Sequence, residues 1–370
     1  MKIVQLCPYA MDRPGGVQRH IRDLSNWFAR EGHETRIVAP PLPGQTPVRS
    51  GQLHEIGRAK SISLHGTAFE IAIAAPWAVK RMANDLRAWG ADIIHMHTPW
   101  TPMVVGQLHK ALQLPTVTTI HATLPEANGA DLIDRYIRRS ARKYIAKSQA
   151  IVTPSTAPLE MLRTISPGLS ATVLPPCVDL SPFRDARAQG NTGDQIKLLF
   201  LGRFEPRKGV DVLLHAWPKI ADALPTAQLT IAGHGEMRDQ VHAAKSDRLC
   251  VVDHPSDATV CDLMGHADFF LAPAPYGESY GLVLAEAMSA GALPIAAANA
   301  GYRSILSGDG SSLLVPPGDP DALCAKVIEL AGDPTQRVTL EEWQTKAARN
   351  SDVTFAGPQY LDLFRTVLAG

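Results

Sequence analysis

Short apolar runs alternate with amphipathic stretches of helical period along nearly all of this 370-residue chain, and that alternation leaves few folds open. Runs at 2–6, 35–39, 92–96, 116–120 and 150–153, and again at 197–201, 227–232, 249–252, 268–272 and 293–297, have the length and continuity of strands buried on both faces. Strands separated by helical patterns pair in parallel, with helices covering the sheet. The chain exceeds one ordinary core, and its 45% hydrophobic content is enough to fill two. An α/β chain with two Rossmann-like domains is expected, the first over 1–174 and the second over 195–354. The Pro- and Gly-punctuated segment 175–194 suits a linker.

Composition removes several functions. With 36 basic and 36 acidic residues the formal charge is zero, which argues against nonspecific nucleic-acid binding, a task that draws on a basic surface. Cys7, Cys177, Cys250, Cys261 and Cys324 are odd in number and contain no CxxC, as suits reduced thiols in a cytoplasmic protein. The start of the chain lacks the pattern of a signal peptide, and no run approaches the roughly 20 apolar residues that span a bilayer.

Three segments carry chemistry. In Gly277-Glu278-Ser279-Tyr280-Gly281-Leu282-Val283-Leu284-Ala285-Glu286, two carboxylates bracket a small-residue turn that opens a helix. If that helix starts near Gly281, the amides of Ser279, Tyr280 and Gly281 face a phosphate, and Glu286 lies about 7.5 Å further along the axis, in reach of ribose hydroxyls. Glu278 faces the ligand's other end, and the ligand so described is a nucleotide diphospho-sugar. Alone, the segment reads first as an ordinary turn with solvated glutamates. The run Leu198-Leu199-Phe200-Leu201-Gly202-Arg203-Phe204-Glu205-Pro206-Arg207-Lys208-Gly209 adds weight, because it sets Arg203 and Lys208 just beyond the carboxyl end of a strand. Two cations there would neutralise a diphosphate and stabilise it as a leaving group. Third, Pro14-Gly15-Gly16-Val17 joins the first strand to a helical stretch by a turn that lets backbone approach a ligand. It is not the dinucleotide GxGxxG.

Taken in order, PGGVQRHI, TIHATLP, VLPPCVDLSPF, LGRFEPRKGVDVLLHA and GESYGLVLAEAMSAGALPIA resemble glycosyltransferase family 4, retaining enzymes of the two-domain GT-B fold. Cys7-Pro8-Tyr9 followed by Pro14 to Gln18 is similar to the bacterial phosphatidylinositol mannosyltransferases of that family, whereas Ala300-Gly301-Tyr302-Arg303-Ser304 replaces the commoner Gly-Gly-x-x-Glu. The resemblance implies two domains facing each other across a cleft, with a last helix over about 355–370 crossing back to the first. It implies hexosyl transfer with retention by front-face attack, in which the departing phosphate takes the acceptor proton.

The same resemblance assigns His121, Arg203, Lys208 and Glu278 to catalysis. It assigns Gly15, Gly16, Gly202, Arg203, Lys208, Gly233, Ser279, Tyr280, Gly281, Leu282 and Glu286 to the donor, and Gln18, His65, Gly66 and Thr67 to the acceptor. Neither metal nor other cofactor is expected. The sole Asp-x-Asp, Asp319-Pro320-Asp321, reads as a helix cap, and the Arg/Lys pair serves the diphosphate.

GDP-mannose and a UDP-sugar both remain open as donor. Val251-Val252-Asp253-His254-Pro255 stands where many relatives have a glycine-containing turn near the base. The acceptor is expected to be a lipid or a lipid-linked glycan. A soluble or polysaccharide acceptor, an epimerase and a nucleotide-sugar-binding protein are the alternatives. Residues 131–147 form a basic amphipathic stretch, with Ile133, Ile137 and Tyr144 on one stripe. Such a stretch suits either the anionic inner leaflet of a membrane or, more commonly, a packed helix with a solvated basic face.

Overall fold

A computed structural model describes residues 1–370 apart from 14, 65–66, 99–102, 122–131 and 188–194. Its contacts divide the chain into two units, Met1–Val178 with Val353–Gly370, and Asp179–Asp352.

The first unit carries β1 (Lys2–Leu6), β2 (Glu34–Ala39), β3 (Arg49–Ser50), β4 (Leu53–Glu55), β5 (Arg58–Leu64), β6 (Thr67–Ile73), β7 (Ile93–His97), β8 (Thr116–Thr119), β9 (Ala150–Thr153) and β10 (Thr172–Val173). Eight of these form one sheet in the order β10-β9-β8-β7-β1-β2-β4-β3, parallel except for the β3–β4 edge, and β5–β6 is a separate hairpin. Side-chain alternation divides the core between the faces. Val4, Leu6, Ile94 and Met96 pack with the helices Pro76–Trp89 and Met103–Leu112, while Ile3, Ile93, Val117 and Val152 pack with Trp27, Phe28, Tyr360 and Phe364. Those last aromatics lie on the helices Gly16–Arg30 and Val353–Ala369, so the chain's final helix is part of the first unit's core.

The second unit carries β11 (Ile196–Arg203), β12 (Ala227–His234), β13 (Leu249–Asp253), β14 (Phe269–Ala272), β15 (Leu293–Ala297) and β16 (Leu314–Val315), parallel throughout in the order β13-β12-β11-β14-β15-β16. The order reverses between β11 and β14 here and between β1 and β7 in the first unit. At such a reversal the connections diverge to opposite sides and leave a crevice at the carboxyl ends of the strands. Both units are Rossmann-like.

The ten expected strands are present, with ends differing by at most two residues. The hairpin β5–β6 and the two- and three-residue edge strands are additions that the apolar runs did not mark. Part of the segment expected as linker is folded: Ser181–Arg187 is a helix whose Phe183 is fully buried, and Asp179 caps it by accepting from the Ser181 amide at 3.0 Å and its hydroxyl at 2.6 Å. The apolar stripe of the basic helix Leu132–Ile145 is in use as core, with Ile137, Ala141 and Ile145 packed on Ile120, Ile151, Leu162 and Ile165. Asp319 caps the helix Pro320–Gly332 by accepting from the amides of Asp321 and Ala322. No described helix is long and apolar enough to cross a membrane.

Candidate active site

In the second unit the crevice is lined by charge. Arg203 ends β11 and pairs with Glu205 (Nη1–Oε1, 2.8 Å). Lys208 closes the short 3-10 turn Pro206–Lys208 and donates to Glu278 Oε1 at 2.6 Å. Between them Arg207 lies 3.9 Å from both Glu205 and Glu278 and donates to the Gly277 carbonyl at 3.1 Å. Three cations and two carboxylates thus form one network, with an excess of positive charge where strand ends and helix starts already favour an anion. Arg207 and Glu205 were not among the expected site residues. Their signal was present in Glu205-Pro206-Arg207-Lys208, where the turn brings alternate charges to the same rim.

Local backbone holds this rim together. Gly202 and Gly233 pair across β11 and β12, and Gly233 adopts φ 145 with its α-carbon so close to Gly202 that a side chain would meet the Gly202 carbonyl oxygen. Gly233 therefore admits the close approach of the two strand ends that sets Arg203 beside His234. The His234 ring stacks on His254 with centroids 4.5 Å apart and planes 16° apart. Burial, then His254 and Arg203, hold the His234 pKa below its ordinary value. His254 has φ 48, a left-handed conformation that few side-chain-bearing residues adopt. Asp253 accepts from both Arg238 and His242 at 2.9 Å and stiffens that loop.

The helix opened by the Gly277–Glu286 segment is Leu282–Ala290, and Gly281 is its N-cap at φ 101. Glu286 lies on it, 8% exposed. Tyr280 is also buried, and its hydroxyl is 2.8 Å from Ser351 Oγ, so the phenol is taken up inside the unit. Burial pushes the Tyr280 phenol up to about 12. The 300–304 segment packs directly on this turn: Gly301 lies against the Glu278 carbonyl and the Tyr280 amide, and the Tyr302 ring lies against Gly281. Burial, then Glu278, raise the Tyr302 pKa well above its ordinary value.

In the first unit Gly15 is the N-cap and Gly16 the first residue of the helix Gly16–Arg30. Gln18, expected to face the acceptor, is buried and donates from Nε2 to the Ala10 carbonyl at 3.2 Å, bracing the turn from inside. His65 and Gly66 lie outside the described residues, and Thr67 begins β6. His121 follows β8 at the carboxyl side of the sheet, beside His20 and His97. Ring nitrogens of His20, His97 and His121 lie within 4.8 Å of one another, a donor set that suits a transition metal. The His97 Nδ1 to His121 Nε2 distance is 2.8 Å, however, whereas two nitrogens on one tetrahedral zinc stand about 3.3 Å apart. The two rings are bonded to each other. Burial is the first cause that lowers the pKa of His20, to about 4, and those of His95, His97 and His121 well below the ordinary histidine range, so all four are neutral near pH 7.

Two family descriptions together account for almost the whole chain: residues 14–182 match Glycosyltransferase Family 4 and residues 183–350 match Glycosyl transferases group 1. A phosphatidyl-myo-inositol mannosyltransferase of Mycolicibacterium smegmatis is 30% identical over 375 residues, covering 99% of this chain and 94% of the relative. The chain belongs to glycosyltransferase family 4. Among solved structures, this glycosyltransferase superposes on sucrose-phosphate synthase of Thermosynechococcus elongatus with a TM-score of 0.78, at 21% identity and covering 100% and 99% of the two chains. It superposes on Anabaena HepE in complex with UDP with a TM-score of 0.75, at 17% identity and covering 99% and 100%. These likenesses establish the GT-B fold. The enzyme is a hexosyltransferase acting with a nucleotide sugar.

Proposed function

We propose that the enzyme transfers a mannosyl group from a nucleotide diphospho-sugar to a lipid acceptor bearing a polyol or glycan head group, with retention of configuration and without a metal. The carrying observation is the ion-pair network of Arg203, Arg207 and Lys208 with Glu205 and Glu278 at the strand reversal of the second unit. A diphosphate entering there exchanges carboxylate partners for phosphate oxygens, and the cations then stabilise the charge that grows on the departing phosphate. In this reading the amides at the start of the helix Leu282–Ala290 add to that field, and Glu286 takes the ribose hydroxyls. Fixed guanidinium and ammonium groups serve where other transferases use a divalent ion.

The mannosyl group and the lipid acceptor are supported by the relative named phosphatidyl-myo-inositol mannosyltransferase, which matches end to end. The apolar stripe of the helix Leu132–Ile145 is taken up by the core, so membrane contact in this reading is electrostatic, through exposed basic residues such as Arg135 on that helix. The test is transfer from radiolabelled GDP-mannose to phosphatidylinositol in vesicles, with EDTA present and with UDP-glucose as a second donor. A labelled lipid extractable into organic solvent supports the reading. Label that passes only to sucrose-type or polysaccharide acceptors sinks the lipid assignment, and inactivity restored by magnesium sinks the metal-free one.

A further inference from the structure

The buried histidines of the first unit form a line that ends at His121. β7 carries His95 and His97 at alternate positions, so both project from one face of the sheet, and both are completely buried. His97 Nδ1 stands 2.8 Å from His121 Nε2, and His97 Nε2 stands 2.8 Å from Oε1 of Gln5 on the neighbouring strand β1. The planes of the His97 and His121 rings are 18° apart and their centroids are 5.1 Å apart. With the nitrogens at hydrogen-bond distance, these values set the rings edge to edge in nearly one plane, the geometry of an in-line N–H···N bond and not of a face-to-face stack.

The proton positions follow by counting. With the Gln5 amide placed so that Oε1 faces the ring and Nε2 meets no partner, the His97 proton is on Nε2 and its neutral ring has a bare Nδ1. The proton between the two rings therefore belongs to His121 Nε2. That leaves Nδ1 of His121 as an acceptor, and no described residue bonds to it. The backbone is fixed as firmly: the His121 amide donates to Thr98 Oγ1 at 3.2 Å, and Thr98 is held at φ 38, a conformation costly for a β-branched residue. Strain kept in a buried position next to a proposed ligand contact is the pattern of a residue whose placement serves the site.

We propose that Gln5 and His97 are positioning residues that lock His121 in its Nε2–H tautomer, so that Nδ1 is presented as the acceptor for a hydroxyl of the sugar in transfer. The inference rests on the reading of His121 as the residue that faces the donor sugar. In the opposite tautomer His121 would meet the sugar with a donor, and the bound sugar would have to turn its hydroxyl to suit.

The test has two arms. In the first, 15N-histidine-labelled wild-type enzyme is observed by NMR, with the His121 signals identified by their loss in His121→Asn. A protonated Nε2 and a bare Nδ1 are expected, and a proton on Nδ1 overturns the proposal without any need for a foldable His97 variant. In the second, turnover is read as release of GDP from GDP-mannose and of UDP from UDP-glucose. His97→Leu is expected to turn over about tenfold more slowly while binding GDP or UDP as the wild type does. His97→Asn, whose amide oxygen can take the place of Nδ1, is expected to recover most of the rate. Wild-type turnover with an unaffected His97→Leu sinks the positioning role alone, whereas a wild-type enzyme that releases neither nucleotide sinks the donor reading and this inference with it.

Discussion

Lys208 offers the sharpest perturbation of the proposed donor site. Its ammonium is 2.6 Å from Glu278 Oε1, and the two side chains are 24% and 13% exposed, so the pair is only partly screened by water. A diphosphate replaces one charge-assisted hydrogen bond by another, and Lys208→Ala forfeits a contact worth about 1.5–3 kcal/mol. At about 1.4 kcal/mol per factor of ten, the dissociation constant of the nucleotide should rise by roughly ten- to a hundredfold. The variant also leaves Glu278 beside the phosphates with only Arg207, at 3.9 Å, to offset it. Adding Glu278→Gln to Lys208→Ala should therefore recover about 1 kcal/mol of binding, on the order of a coupling between neighbouring charges. Calorimetric titration of wild type, both single variants and the double variant gives the cycle. Wild-type affinity in Lys208→Ala, or additive losses in the double variant, would refute the network as the diphosphate site.

Further outcomes follow from the same geometry. His121→Ala should lower turnover more than nucleotide affinity, because the proposed diphosphate contacts all lie in the second unit; equal losses measured by calorimetry and by product release would contradict that division. For His20 the folded pKa is about 4 against 6.5 unfolded, so the unfolded chain binds the extra proton between those values. The stability due to its neutral burial, about 3 kcal/mol, is complete above pH 6.5 and is lost as the pH falls towards 4. Denaturant midpoints followed from pH 7.5 to 5 should show this fall, and a flat profile would exclude it. Phe364→Ala removes a fully buried ring packed on Phe28 and His95 and should cost about 3–5 kcal/mol, readable as an earlier denaturation midpoint. An unchanged midpoint would mean that the final helix is not part of the first unit's core.

The sheets were legible because buried parallel strands read as continuous apolar runs, and runs such as Leu198–Leu201 have no other good explanation. Edge strands and the β5–β6 hairpin were not, since Arg58-Ala59-Lys60-Ser61 carries neither a continuous apolar run nor clean alternation. The charged rim was legible through Arg203, Lys208 and Glu278, because charges just beyond a strand end or at a helix start stand out against apolar neighbours. Arg207 and Glu205 did not stand out, as their role arises from the turn that brings both carboxylates within reach of one guanidinium. The Gln18 bond was not legible for a similar reason: a polar residue at the start of a helix looks solvent-facing, and only the fold shows that the chain before it supplies the Ala10 carbonyl. The His97–His121 bond joins residues 24 apart, one at the end of β7 and the other just past the end of the adjacent β8, and a His-x-His spacing alone says nothing of such a partner.

The measurement that bears most directly on the central claim is calorimetric titration of the wild-type enzyme with GDP, UDP and ADP, first in EDTA and then with magnesium. The account predicts that one nucleotide binds in EDTA, that magnesium adds little, and that Lys208→Ala weakens this binding. Binding that appears only with magnesium, or none with any of the three, would contradict a metal-free diphosphate site built on Arg203, Arg207 and Lys208.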